Sequence, residues 1–104
     1  MIHFHNLTVK KVVKETDDCV SVTFSVPEDL KDLFQFKPGQ SLTFRKQLAG
    51  EEARRSYSIC SAPTDGTLRV AIKKVEGGLF STWANENLKK GDVMKVMPPM
   101  GSVG

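Results

Sequence analysis

The chain has 104 residues, of which 39% are hydrophobic, and this size supports one globular core and excludes two. Fifteen Lys and Arg residues against 12 Asp and Glu leave a net charge of +3, a mild excess that favours phosphate-bearing ligands but lacks the dense basic stripe typical of nucleic-acid binders. The two cysteines match no metal-ligand spacing, and no signal peptide or transmembrane run is present, so we predict a reduced, cytoplasmic protein without a metal site.

The first third of the chain has the pattern of a β-hairpin. Apolar residues share one face of a strand predicted over residues 4–16, and Lys10 and Lys11 interrupt the alternation near its middle, which indicates a bulge. A turn is predicted at residues 16–18. Residues 20–26 then alternate between apolar and small polar side chains, which is typical of a strand with one buried face.

The middle of the chain alternates between turns and strands. A short helical turn is predicted over residues 28–36, because its apolar residues are spaced by three and four positions. The next strand directs Leu42 and Phe44 inward, residues 49–52 reverse the chain, and a fourth strand is predicted over residues 53–61.

The last third contains the clearest helix. A fifth strand is predicted over residues 68–73, and residues 79–90 combine helical spacing with two final lysines, which predicts a helix with a cationic last turn. A sixth strand follows at residues 92–97, and a rigid proline-containing turn at residues 98–104. Six strands joined mainly by short turns, with one helix between the last two, predict an all-β fold, a small antiparallel barrel.

The chemistry is concentrated in the fourth strand, at Arg54-Arg55-Ser56-Tyr57-Ser58. Arg55 and Tyr57 share a face of an extended strand, about 7 Å apart along the backbone. A guanidinium group there can bind phosphate oxygens while the phenol ring lies against an aromatic plane. Strict alternation puts Ser58 on the opposite face unless the strand ends or twists at that point. An exposed arginine and a tyrosine that caps the barrel explain this strand equally well.

A second signal is the glycine pair Gly77-Gly78 before the predicted helix. The free N–H groups of the first helical turn, around residues 79–81, form an anion site, and glycine lets a ligand approach the backbone closely. An ordinary strand-to-helix turn is the more common explanation of such a pair. Together with Arg55, Tyr57 and Lys73, the turn suits one ligand with a planar ring at one end and a diphosphate at the other.

Four segments occur in the order of a known family: Phe36–Gln40, Arg55–Ser58, Gly78–Ser81 and Pro99–Gly101. In this combination the chain resembles the FAD-binding domain of the ferredoxin-NADP reductase family. The sequence around the motifs, including Glu51-Glu52 and Val75-Glu76, is most similar to the branch that serves bacterial phenylacetate degradation. The resemblance implies a six-stranded antiparallel Greek-key barrel over residues 1–104, with FAD as cofactor.

The resemblance also implies a role for each matching residue. Arg55 would hold the FAD diphosphate, Tyr57 would stack on the isoalloxazine ring and Ser58 would hydrogen-bond near flavin N5, so Tyr57 and Ser58 are the expected catalytic residues. The other expected cofactor-binding residues are Ala71, Ile72, Lys73, Gly77, Gly78, Ser81, Pro99 and Gly101. Val103 stands where relatives commonly have an aromatic residue, so no stacking is predicted on that side.

The same resemblance implies partners for the domain. Family members continue into a nicotinamide-binding domain, and the phenylacetate branch continues into a [2Fe-2S] domain; both are predicted to be absent from this chain. We therefore expect it to receive electrons from NADH or NADPH through a C-terminal domain, to pass them to an iron–sulfur domain or oxygenase component, and not to be fully active alone. No membrane or nucleic-acid partner is expected.

Two alternatives remain open at this point. FMN could replace FAD, because the fourth-strand motif addresses the flavin end of the cofactor and the adenine contacts lie in less defined loops. A small barrel that binds single-stranded nucleic acid is the other alternative, based on the net positive charge and on Phe44-Arg45-Lys46.

Overall fold

The computed structural model describes residues 3–100, which form six strands and one α-helix. The strands are β1 (His5–Thr16), β2 (Cys19–Ser25), β3 (Ser41–Leu48), β4 (Glu51–Ser58), β5 (Leu68–Lys73) and β6 (Val93–Val96), and helix α1 (Leu79–Asn87) lies between β5 and β6. Two short 3-10 helices cover Glu28–Leu30 and Pro63–Asp65. The predicted all-β fold with one helix between the last two strands is confirmed. Within the described residues no helix is long and apolar enough to cross a membrane.

All strands pair antiparallel in the order β4-β3-β6-β1-β2-β5, so the last strand lies between the first and the third in a Greek-key path. The edge strands β4 and β5 approach each other where Ile59 forms a bridge with Val70. The Cys60 N–H donates to the Arg69 carbonyl beside this bridge, at 2.8 Å. The sheet is therefore barrel-like in shape, but its edges are joined at one point and not by a continuous ladder.

The core fills the inside of this curved sheet, where alternate strand residues meet one face of α1. Aromatic rings form a continuous stack within it: the Phe24 and Phe44 centroids are 5.5 Å apart, and those of Phe44 and Phe80 are 6.1 Å apart. Phe80 and Ala84, both 1% exposed, attach α1 to the sheet. Phe80 contacts Phe44 of β3 and Tyr57 of β4, which places the N-terminal end of the helix beside these two strands.

Two connections in the strand region test the turn predictions. The bulge in β1 is confirmed, because its register with β2 shifts between Val9 and Lys11. The β3–β4 turn is shorter than predicted: only Ala49 and Gly50 form the loop, with φ values of 50° and 79°, and β4 already begins at Glu51. Two residues with positive φ are the usual hairpin loop, since their twist matches that of the strands.

The prediction of a helical turn over residues 28–36 is only partly correct. Glu28–Leu30 form a single 3-10 turn, and irregular turns follow. Phe34 is buried as expected, whereas the side chain of Leu33 is 45% exposed. The segment is not a continuous helix, so the spacing of three and four positions does not place its apolar residues on one face.

The predicted C-terminal end of α1 is wrong. The helix ends at Asn87, and Leu88 already has an extended backbone that directs its side chain into the core. The Lys89 N–H donates to the Asp92 carboxylate at 3.0 Å, which reverses the chain toward β6. Lys89 and Lys90 therefore lie after the helix, and its last turn carries no basic residue.

Candidate cofactor-binding site

Strand β4 places its two arginines on opposite faces of the sheet. Arg55 and Tyr57 lie on the face toward α1, while Arg54 and Ser58 lie on the outer face. Pairing with β3 stays in register as far as the last pair, Ser58 with Ser41. The structure therefore brings Arg55 and Tyr57 together as predicted, and it leaves Ser58 at the end of the strand on the other face.

Arg55 presents an exposed guanidinium group. Its Nη1 donates to the Arg54 carbonyl at 2.7 Å, and within residues 3–100 it has no ion pair with a carboxylate. Arg54 is engaged more fully, because its Nε donates to Glu52 at 3.0 Å and its guanidinium lies 5.3 Å from the centre of the Phe4 ring. Of these two arginines, Arg55 has the free donors that a phosphate group needs.

Tyr57 is half-buried against aromatic residues of the core. Its ring centroid lies 5.9 Å from that of Phe80, with 29° between the planes, and 6.1 Å from that of Phe44. Burial raises the pKa of Tyr57 above its usual value, and the nearby positive charge of Arg55 lowers that pKa by a smaller amount. The phenol is therefore neutral near pH 7, and its exposed part can contact a flat ligand.

Phe80 connects this tyrosine to the N-terminal end of α1. It is the second residue of the helix, follows the N-cap Gly78 by two positions, and is fully buried. The first helical hydrogen bond runs from the Thr82 N–H to the Gly78 carbonyl at 3.1 Å, so the N–H groups of residues 79–81 have no partner inside the helix. Helical spacing identifies Phe80 only as a core residue, and nothing in the sequence indicates its contact with Tyr57.

The backbone conformation and the close packing of the turn before α1 both favour glycine. Gly77 has a φ of +75°, which favours glycine, and a Cβ atom at Gly78 would lie 2.6 Å from Ser81 Oγ. The buried Ser81 Oγ accepts a hydrogen bond from the Val75 N–H at 3.0 Å and lies 3.5 Å from the Gly78 carbonyl oxygen. The Gly78 N–H also donates to the Val75 carbonyl at 2.8 Å, so the turn is closed by its own hydrogen bonds.

The predicted residues of β5 differ in what they can contribute. The Ile72 side chain is fully buried, and its carbonyl accepts a hydrogen bond from Asn85 Nδ2 at 3.0 Å. Ala71 and Lys73 are exposed. Lys74 pairs with a glutamate of α1 at 3.0 Å, whereas Lys73 makes no ion pair with any described carboxylate. Lys73 is therefore the ammonium group that β5 can offer to a phosphate.

The closing segment Pro99-Met100 pairs with the beginning of β3. The Ser41 N–H donates to the Met100 carbonyl at 2.7 Å, and the Met100 N–H donates back at 2.9 Å. Since Ser41 is also the partner of Ser58, the closing segment lies one strand away from that serine. The predictions for Gly101 and Val103 concern residues outside the described range.

The site thus combines a free guanidinium, a half-buried phenol and unpaired helix N–H groups, linked through Phe80. This arrangement fits a ligand with a planar ring and a diphosphate. Across residues 3–100 no group of His, Cys, Asp or Glu side chains could hold a metal ion. The alternative of single-stranded nucleic-acid binding relied on Phe44 as an aromatic residue, but Phe44 is 1% exposed and cannot stack on bases.

Comparison with known proteins identifies the family of this chain. Residues 6–104 match the family described as oxidoreductase FAD-binding domain. The chain is 47% identical, over all of its length, to one of the subunits of 1,2-phenylacetyl-CoA epoxidase from Escherichia coli (strain K12), and it covers 29% of that protein. It is 42% identical over 91% of its length to the ferredoxin reductase component of 3-ketosteroid-9-alpha-monooxygenase from Rhodococcus rhodochrous, covering 28% of that protein.

The fold is also similar to solved structures. A ferredoxin NADP+ reductase from Neisseria gonorrhoeae, crystallised with bound FAD and NADP, matches with a TM-score of 0.80 at 22% sequence identity. The match covers 96% of this chain and 39% of that structure. The chain likewise spans less than a third of the length of the two curated relatives described above.

Proposed function

Since the chain belongs to the FAD-binding domain family of oxidoreductases and FAD is its cofactor, we propose that Arg55, Tyr57 and the first turn of α1 hold the FAD. The observation that carries this assignment is the free guanidinium of Arg55 beside the half-buried ring of Tyr57. Phe80 packs against Tyr57 and is the second residue of the helix, so the same residue positions the ring contact and the anion contact.

Arg55 would bind the diphosphate with paired hydrogen bonds, because a guanidinium matches two phosphate oxygens at once. The N–H groups of residues 79–81 would add neutral donors at the positive end of the helix dipole. Lys73 would supply a second charge from β5. These three contributions come from different elements, so each can be removed separately.

Tyr57 and Ser58 would act on the flavin ring. Tyr57 would lie against the isoalloxazine plane, and Ser58 would donate a hydrogen bond near N5 from the end of β4, where the strand stops. When bound, FAD supplies the redox chemistry by accepting a hydride and releasing electrons one at a time. The chain's own task is to orient the ring, neutralise the diphosphate and shield one side of the flavin from water.

The remaining predicted residues complete the proposed site through their backbones. Ala71 and Ile72 would line the ribityl side, although the Ile72 carbonyl already accepts a bond from the Asn85 amide. Gly77-Gly78 would shape the diphosphate turn. Pro99 and Gly101 would shape the adenine-side loop, and the pairing of Met100 with β3 holds that segment near the end of β4.

The proposal extends to the whole protein. NADH or NADPH would bind to a second domain, and the electron acceptor would be an iron–sulfur domain or an oxygenase component. The 47% identity to a phenylacetyl-CoA epoxidase component supports a role in phenylacetate degradation, and a reduced cytoplasmic location belongs to the same proposal. Complementation tests the pathway: the full-length gene should restore growth on phenylacetate to a strain that lacks its own copy of this component, and failure with detectable protein would contradict it.

A flavin titration tests the site. We expect FAD fluorescence to be quenched on binding to the 104-residue chain, with weaker binding of FMN, which lacks the diphosphate. Tyr57→Phe should bind FAD as the wild type does, because it keeps the ring, whereas Tyr57→Ala should bind about tenfold more weakly or worse. Equal affinities for Tyr57→Ala and the wild type would contradict the stacking role, provided that both chains are folded by circular dichroism.

A further inference from the structure

Three cations lie directly opposite one another on the outer face of three neighbouring strands. Arg54 of β4 faces Arg45 of β3, and Arg45 also faces Lys95 of β6. We call Arg54, Arg45 and Lys95 the cationic row. Directly opposed residues have Cβ atoms about 4.5–5.5 Å apart, and like charges in that position destabilise a sheet. The three residues therefore repel one another except where other groups offset their charges.

Within residues 3–100 the row is only partly neutralised. Glu52 pairs with Arg54 at 3.0 Å and with Arg45 at 3.7 Å. Three positive charges and this one carboxylate leave a formal charge of +2. The Phe4 ring receives the guanidinium groups of Arg45 and Arg54 at 4.4 and 5.3 Å from its centre. These contacts hold the guanidinium groups in place, while 33% and 56% of the Arg45 and Arg54 side chains remain exposed.

We propose that this outer face, centred on the cationic row, binds a carboxylate-rich surface of a partner protein. Guanidinium groups held in fixed positions match carboxylates with paired hydrogen bonds and little loss of side-chain freedom. Beside the row, the hydroxyl groups of Thr43 and Ser56 lie 2.6 Å apart and add neutral hydrogen-bonding groups. A second copy of this chain would present the same charges and be repelled, so charge complementarity requires an acidic partner.

Nucleic acid suits this face less well. Binding of single strands combines a basic groove with aromatic rings on which bases stack. The aromatic residue that contacts the row is Phe4, and its ring already carries two guanidinium groups. A base could stack on Phe4 only after displacing them, whereas a carboxylate can reach the exposed edges of the same groups.

The proposed surface is independent of the FAD site. Arg54 lies on the face of β4 opposite to Arg55 and Tyr57. Ser58 shares the outer face, but it lies four residues from Arg54 at the end of the strand, about 13 Å along it, and is not part of the cationic row. FAD and the partner would therefore not compete for the same residues. Loss of FAD binding would therefore leave the acidic-partner proposal intact. The reverse also holds, and the two proposals can fail separately.

A matched pair of charge reversals tests the proposal in the 104-residue chain. Lys95→Glu changes the row, and Lys14→Glu makes the same change of charge on the distal part of β1, where Lys14 is exposed and pairs with Val20. The probe is fluorescein-labelled poly-glutamate of about 30 residues, followed by anisotropy at low salt. We expect Lys95→Glu to weaken binding about tenfold or more and Lys14→Glu to weaken it about twofold or less.

Thermal unfolding supplies the folding control. Lys95→Glu places a carboxylate opposite Arg45, so its unfolding midpoint should equal or exceed that of the wild type while its binding is lost. Equal weakening by both reversals, or unchanged binding in Lys95→Glu, would overturn the proposal. Tighter binding of a single-stranded oligonucleotide of about 30 nucleotides, lost in Lys95→Glu, would also overturn it and identify a nucleic-acid surface.

Discussion

Arg54 and Arg55 are neighbours in the chain, yet the two faces of β4 give them different surroundings. On the outer face Arg54 pairs with Glu52 and lies over Phe4. On the face toward α1, Arg55 contacts the carbonyl of its own neighbour, and among the described residues it makes no ion pair. The surroundings of the two side chains, and not their residue type, therefore decide which arginine can bind a phosphate.

The two faces also differ in what lies beneath them. Tyr57 rests on Phe80 and Phe44, which belong to the buried aromatic stack of the core. The outer face carries one half-buried ring, that of Phe4, held by surface cations. The proposed contact between Tyr57 and the flavin therefore depends on the stability of the core, whereas binding at the outer face depends mainly on exposed charges.

The largest expected difference between the faces is in stability. Phe80→Ala should lower the free energy of unfolding by about 3–5 kcal/mol, because it leaves a cavity in the aromatic stack. Phe4→Ala on the outer face should lower it by about 1 kcal/mol, since exposed cation–π contacts are weak. Urea denaturation measures both values. Similar losses for the two variants would show that the faces do not differ in the way that the packing indicates.

The next largest difference concerns FAD binding. Arg55→Ala should weaken FAD binding by about 10- to 150-fold, because hydrogen bonds to charged groups contribute about 1.5–3 kcal/mol. Arg54→Ala is the matched control, and it should change the FAD dissociation constant by about twofold or less, since Arg54 points to the other face. Isothermal titration calorimetry with FAD measures the dissociation constants of both variants. A larger effect in Arg54→Ala would reverse the assignment of the two arginines.

A smaller effect is expected at the turn that sets which arginine lies on which face. Ala49 has a φ of 50°, which costs a residue with a Cβ atom more than it costs glycine. Ala49→Gly should therefore stabilise the chain by about 0.5–1 kcal/mol. Ala62→Gly, at a φ of −80°, is the control and should destabilise it by a similar amount. Thermal unfolding compares them, and a destabilised Ala49→Gly would contradict the strain at this turn.

The smallest effect is a pH dependence on the face toward α1. Burial raises the pKa of Tyr57 in the folded chain above the usual 10.0. Below about pH 10 the phenol is neutral in both states, and as the pH rises further the unfolded chain ionises first, so the free energy of unfolding falls. Tyr57→Phe has no hydroxyl group to ionise, so it lacks this pH dependence. Urea denaturation from about pH 8 to pH 11 should show a steeper fall for the wild type, and parallel curves would contradict a buried Tyr57 hydroxyl.

Much of the fold could be predicted because strand patterns are local. Apolar alternation and the turns between the segments locate all six strands, the lysines that interrupt the alternation locate the bulge in β1, and helical spacing identifies α1. Errors occur where a tertiary contact overrides the pattern. Leu88 turns into the core and ends the helix before the two lysines, and Leu33 faces solvent because its segment is not a continuous helix.

The candidate site also contains features that could be predicted from the sequence and features that could not. That Arg55 and Tyr57 share a face follows from their spacing of two. The sequence could not predict that Arg54 pairs with Glu52 and lies over Phe4 while Arg55 does neither, since these contacts depend on where Glu52 and Phe4 lie after folding. The Ser81 hydroxyl is a similar case, because its use inside the glycine turn depends on the path of the backbone.

Local sequence is enough to predict the strands, the helix start and the shared face of Arg55 and Tyr57, because each follows from the geometry of a short segment. The contact of Phe80 with Tyr57 and the row of Arg54, Arg45 and Lys95 arise only when the chain folds. Those contacts depend on strand register and helix docking, which are set by burial of the whole core and are not encoded in any one stretch of chain.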